Sequence, residues 1–192
     1  MKRENIQRTA VLAMFTAIII GLQYLGAFIR FGKFSISAVL VPIVIGAVMY
    51  GPAAGAYLGG IFGLSVFMTG DAADFFVVNV PGTIITVMLK GILAGLAAGL
   101  IYKAFEKRSK FAAAVSAAVT CPIVNTGVFL IGCRAFFWET LKGWGQALGY
   151  DGVFIFIVVG LIGFNFLFEL LLNVILSPAI ARIIDIGKKK FS

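Results

Sequence analysis

The stretch GFNFLFELLLNVI, residues 163–175, sets a carboxylate, Glu169, in the middle of a run of Phe, Leu and Ile. Its surroundings decide how it is read. The flanking chain from about 153 to 184 is almost continuously apolar, so Glu169 falls near the centre of a segment long enough to cross a bilayer. An ionisable group at that depth is rare, and by default it is a candidate for function.

The whole chain agrees with a membrane setting. It has 192 residues, 61% hydrophobic and 12% charged, with a mean hydropathy of +1.06. A soluble domain carries about a quarter charged residues. Six apolar spans can be drawn, near 9–29, 35–50, 53–68, 81–104, 111–132 and 153–184. The second is short for a bilayer and the last is long, so their tilts must differ. The polar breaks are RFGK (30–33), YGP (50–52), TGDAADFFVVN (69–79), FEKRSK (105–110) and RAFFWETLKGWGQALGYDG (134–152). The expectation is an all-α, single-domain bundle of six transmembrane helices over residues 1–192. The first apolar stretch shows no convincing small-residue cleavage site and reads as a span, not a leader.

Basic residues orient the bundle. With the N-terminus inside, that side holds Lys2, Arg3, Arg8, Lys103, Lys107, Arg108, Lys110, Arg182, Lys188, Lys189 and Lys190, against Arg30, Lys33, Arg134 and Lys142 outside. Eleven against four satisfies the positive-inside rule and predicts both termini cytoplasmic. The net charge of +8 is thereby accounted for without a nucleic-acid partner.

Several chemistries have no residues to run on. The chain contains no histidine, which removes His-based proton relays, His-ligated metals and His-containing triads. No nucleotide-binding P-loop occurs. Cys121 and Cys133 lie in apolar sequence and read as small core residues, and Asp71 and Asp74 of DAAD read as a solvated loop. Neither a metal nor another cofactor is implied, and no enzymatic nucleophile with its base can be assembled.

What remains is a polar constellation inside the spans. Lys90 lies about 14 Å down span four from Pro81, at 1.5 Å per residue, a depth comparable to that of Glu169. The two either pair or share a polar cavity, since an isolated buried ion is costly. Each heads a stripe at helical spacing: Asn79, Thr83, Thr86 and Lys90 on span four, and Asn165, Glu169 and Asn173 on span six. Cys121, Asn125 and Gly132 line a face of span five, which also carries Pro122. Converging polar faces suggest a solute pocket; the alternative is a hydrogen-bond network that only locks the helices. The last outer break, with Arg134, Phe136, Phe137, Trp138, Trp144 and Tyr150, suits an aromatic lid over a small organic acid, or an interfacial aromatic belt.

Small residues recur every fourth position: Thr9, Ala13, Ala17 and Gly21 on span one, Gly51, Gly55, Gly59 and Gly63 on span three, Gly91, Gly95 and Gly99 on span four. Such ridges let helix backbones approach closely. Most should pack within the bundle, whereas the peripheral first ridge, with Ala13 and Ala17, is the best candidate for docking another protein.

The run FIRFGKFSISAVLVPIVIGAVMYGPAAGAYLGGIFGLSVF (28–67) resembles the second and third helices of the substrate-binding S components of energy-coupling factor (ECF) vitamin transporters. AMFTA (13–17) matches the A-x-x-x-A of their first helix, and VNTGVFLIG (124–132) and FNFLFELLLNVILSPAI (164–180) look like their fifth and sixth. The resemblance covers nearly the whole chain and is nearest to pantothenate-type members. It implies a multi-pass subunit of the bacterial plasma membrane that captures a vitamin from outside. It also implies assembly with a T transmembrane subunit and two ATP-binding-cassette ATPases, docked through the Ala13–Ala17 face, as an ABC-type importer. The expected substrate contacts are Asn79, Thr83, Lys90, Asn125, Arg134, Trp138, Asn165 and Glu169. The competing readings are an S component for riboflavin or another vitamin, a stand-alone channel or proton-coupled carrier using Lys90 and Glu169, and a lipid head-group enzyme. An inverted repeat would favour the carrier, and none is visible; the enzyme would need a cytoplasmic catalytic cluster.

Overall fold

The computed structural model describes residues 2–28, 30–31, 34–35 and 38–191, with side chains over 5–28, 38–163 and 165–178. Helix α1 (Lys2–Phe28) leads into a short antiparallel hairpin, β1 (Arg30–Phe31) and β2 (Phe34–Ser35), with Arg30 opposite Ser35. Then follow α2 (Leu40–Tyr50), α3 (Pro52–Thr69), α4 (Ala73–Val78), α5 (Val80–Phe105), α6 (Lys110–Phe136), α7 (Trp138–Ala147) and α8 (Val153–Ile155). A π-helical segment (Phe156–Gly163) runs into α9 (Phe164–Phe191).

The molecule is an all-helical membrane protein apart from that hairpin. Helices α1, α3, α5 and α6 are long and apolar enough to cross a bilayer, and 153–163 with 165–178, bent by 41° at their junction, would be a fifth if the pair counts as one span. The stretch expected to span over 35–50 yields only the eleven residues of α2, about 16 Å of helix or half a hydrocarbon core. Most of α2 is buried, including Leu40, Ile43, Val44, Ala47 and Val48, so its neighbours and not lipid enclose it. Residues 29, 36 and 37, at the ends of the first two expected spans, lie outside the described residues, as does Lys33. Two expected breaks contain helices: α4 lies within 69–79 and α7 within 134–152.

Local chemistry sets the helix ends. Asn79 caps α5, its side chain accepting from the Gly82 N–H at 2.9 Å, with Pro81 in the first turn where its missing N–H costs nothing. Ser109 caps α6 by accepting from the Ala112 N–H at 3.2 Å. Gly51 joins α2 to α3 at φ +90°, and Gly70 ends α3 at φ +74°, both conformations that favour glycine.

The glycine ridges of α3 and α5 interlock. A Cβ on Gly55 would run into the carbonyl oxygen of Gly95, and one on Gly95 into that of Gly55. The same reciprocity holds for Gly59 and Gly91, while Gly63 faces Val87 and Met88 and Gly99 faces Pro52. Backbone therefore lies on backbone along most of the α3–α5 crossing. The ridge on α1 behaves differently: Thr9, Ala13, Ala17 and Gly21 are exposed, while Phe15 and Ile19 on the other face are buried.

Gly59→Ala should destabilise the protein by about 1–3 kcal/mol, as overpacking does, because two backbones must separate to admit the methyl group. Gly21→Ala, with nothing within 4 Å of the added carbon, should be neutral. Thermal unfolding in detergent measures both, and equal melting temperatures for the two variants would contradict the interlocked crossing.

Candidate functional site

The alternation of the helices brings the C-terminal ends of α1, α3 and α6 together with the N-terminal parts of α5 and α9, at the end of the bundle away from Lys2. A cavity of about 150 Å³ opens there, lined by Gln23, Phe62, Val66, Asp71, Ala72, Phe75, Val87, Lys90, Asn125, Thr126, Phe129, Leu161, Ile162, Asn165, Phe166 and Glu169. Four of the eight substrate contacts expected from the sequence, Lys90, Asn125, Asn165 and Glu169, meet in this lining.

Lys90 and Glu169 share the cavity without a direct ion pair. The Lys90 ammonium instead lies over two rings, 5.2 Å from the centroid of Phe62 and 5.4 Å from that of Phe129, within the range of a cation–π contact. Glu169 is 3% exposed. Its Oε1 accepts a long, 3.5 Å hydrogen bond from Asn165 Nδ2, and its backbone carbonyl accepts from Asn173 Nδ2 at 2.8 Å. Asn173 thus serves α9 itself, one turn below the cavity.

The other four stand apart from the lining. Asn79 is spent on capping α5, and the Thr83 hydroxyl donates to the Asn79 carbonyl at 2.7 Å. Thr86 packs where a Cβ on Gly132 would sit. The upper part of the α5 stripe therefore holds α5 against α6, and only Lys90 at its foot reaches the cavity. Arg134 is exposed and stacks its guanidinium 4.7 Å from the Trp138 ring centroid, outside the lining.

Two aromatics of the expected lid, Phe137 and Trp144, stand beside a ring that lines the cavity. Phe75 of α4 lines it and meets Phe129, Phe137 and Trp144 edge to face at 5.8, 5.0 and 5.7 Å between centroids. Leu141 and Phe137, with Phe156 and Ile157 of the π-helical segment, bury the underside of α7. Trp144, not Trp138, is the indole one ring removed from the cavity.

Sequence reasoning missed Gln23 and set Asp71 aside as solvated. Gln23 Nε2 donates to Asp71 Oδ2 at 2.5 Å and to Thr69 Oγ1 at 3.3 Å, tying α1 to the end of α3. Asp74 is exposed in the first turn of α4, so the DAAD pair is divided between cavity and surface. The signal for Gln23 was present: Phe15, Ile19 and Gln23 continue one buried stripe at four-residue spacing.

The fold is that of a multi-helix membrane protein, and the family match gives its class. The chain is a member of the family described as ECF transporter, substrate-specific component, whose model matches residues 7–181. It is 28% identical, over an alignment 199 positions long with gaps that covers 94% of each chain, to the Pantothenic acid transporter PanT of Lactococcus lactis subsp. cremoris (strain MG1363). No solved structure matches significantly. The family is one of transporter subunits and not a class of enzymes.

Neutralising either buried charge should lower stability, because the other then remains in the cavity without its nearest opposite charge. In a cycle of Lys90→Met, Glu169→Gln and the double variant, we expect a favourable coupling of about 1 kcal/mol or more. Thermal unfolding of the four proteins measures it, and strictly additive losses would show that the two charges do not interact.

Proposed function

We propose that this protein captures pantothenate, or a closely similar hydroxy acid, from outside the bacterial plasma membrane. It then delivers the solute through an ATP-driven module made of a T subunit and two ATP-binding-cassette ATPases. The observation that carries the reading is the state of the three cavity charges. Each carboxylate is engaged by an amide, Asp71 by Gln23 and Glu169 by Asn165, whereas Lys90 lies over the Phe62 and Phe129 rings and has no ion pair among the described residues. The engaged negative charges and the unengaged positive one leave Lys90 to take an anionic group by a charge-assisted bond.

The lining itself holds one cation against two carboxylates, Arg134 is outside it, and Lys33 and the Arg30 side chain are outside the described residues. An anion is favoured by how these charges are committed, and by the name of the pantothenate-transporting relative.

Six membrane passages, with α2 as the short second one, and cytoplasmic termini follow from the same reading. The eleven basic residues then face the cytoplasm and the cavity faces outward. The exposed Ala13–Ala17 ridge of α1 is the docking face for the T subunit, since a smooth ridge turned away from its own bundle permits close approach of a partner helix. Asn125, Asn165, Glu169 and Lys90 form the substrate contacts in this reading, with Asn79 and Thr83 shaping the helix that carries Lys90, and with Arg134 stacked on Trp138.

Titration of the purified protein with pantothenate, riboflavin, thiamine, folate, biotin and pyridoxine, followed by tryptophan fluorescence, should show saturable change with pantothenate through Trp144. Saturation by riboflavin or thiamine alone would overturn the choice of vitamin and leave the S-component reading standing. Ala17→Trp should abolish uptake in cells while the isolated protein binds solute unchanged. Loss of both together would mean that the ridge serves internal packing.

A further inference from the structure

The amides that engage the two carboxylates are themselves left half used. Gln23 is 3% exposed, and its Nε2 is committed to Asp71 and Thr69. Its Oε1 is buried with no hydrogen-bond partner. Asn165 repeats the arrangement across the cavity: Nδ2 donates to Glu169 while Oδ1 is buried and unpartnered. An ionised carboxylate cannot donate, so turning the Gln23 amide over would set its oxygen against Asp71; the charge fixes which way that amide faces. Asn125, which also lines the cavity, adds a third buried and unpartnered carbonyl oxygen. A buried acceptor without a partner costs about 1–3 kcal/mol, and three such residues around one cavity call for something that donates.

We propose that Gln23, locked by Asp71, is a specificity-determining acceptor for a hydroxyl or amide N–H of the transported solute, with Asn165 and Asn125 accepting further donors. The site would then select a solute with an anionic group for Lys90 and several O–H or N–H donors for the amide carbonyls. A carboxylate lacking such donors is rejected, because it leaves the acceptors desolvated and unpaired. This inference rests on the reading of the cavity as the solute site and deepens it. It places one specificity contact on α1, the helix whose other face is the proposed docking ridge.

The test uses the full-length protein, Gln23→Met and Asp71→Asn, each titrated with pantothenate and with analogues in which one hydroxyl is replaced by hydrogen. Methionine matches glutamine in length and removes the acceptor; asparagine at position 71 lets the Gln23 amide turn over. Loss of one particular hydroxyl should weaken binding to the unmodified protein about tenfold or more, and that penalty should shrink in both variants. If Gln23→Met does not fold, Asp71→Asn gives the same comparison. An equal penalty in all proteins overturns the inference and leaves pantothenate as solute. Should the unmodified protein bind riboflavin or pyridoxine and not pantothenate, the vitamin assignment fails alone. The acceptor role is then read from those hydroxyl-bearing vitamins, and unchanged affinity in Gln23→Met overturns it.

Discussion

The backbone contact between α3 and α5 is the constraint on which the rest of the bundle depends. In lipid the hydrophobic effect does little to hold one apolar helix to another, so close van der Waals packing must do it. Gly55 on Gly95 and Gly59 on Gly91 supply that packing with no side chain between the helices. The crossing also positions the site. Lys90 directly precedes Gly91, and Phe62 follows Gly59 by three residues, close enough that a Cβ on Gly91 would lie 3.3 Å from its ring. Once the two glycines meet, the Lys90 ammonium and the Phe62 ring are brought together.

The cavity resolves the cost of ions in a membrane by giving each a different kind of partner. Asp71 takes an amide and a hydroxyl, Glu169 takes an amide, and Lys90 takes two aromatic faces. A tight Lys–Glu pair would neutralise the site and leave little for a solute to replace. Aromatic faces are weaker partners for an ammonium than a carboxylate is, so Lys90 keeps much of its capacity to bind an anion. The same economy leaves carbonyl oxygens of three amides unsatisfied around it.

Much of this was legible in the sequence, for identifiable reasons. Hydropathy marked α1, α3, α5 and α6, because a helix exposed to lipid must be apolar along its length. The glycine spacing marked the α3–α5 crossing, because only glycine admits such contact. Glu169 and Lys90 stood out because charge is rare in such sequence. Four expected contacts fell outside the cavity because helical periodicity assigns a face and not a depth. Thr83 shares a stripe with Lys90 yet is spent on its own helix. Arg134 and Trp138 suited a lid by composition, while Phe75, one of the rings that line the cavity, lies in a break that read as solvated. Gln23 continues the stripe of Phe15 and Ile19, but its role depends on Asp71, which is distant in sequence. The six-passage count could not be read from α2, whose eleven helical residues are held by their neighbours and not by bilayer thickness.

Mass spectrometry of the small molecules retained by the protein, purified without added vitamin, tests the central claim most directly. The account predicts one near-stoichiometric anionic solute bearing hydroxyl or amide donors, and its loss from a Lys90→Met variant that remains folded. Retention of no solute, or of the same solute in equal amount by that variant, would contradict it.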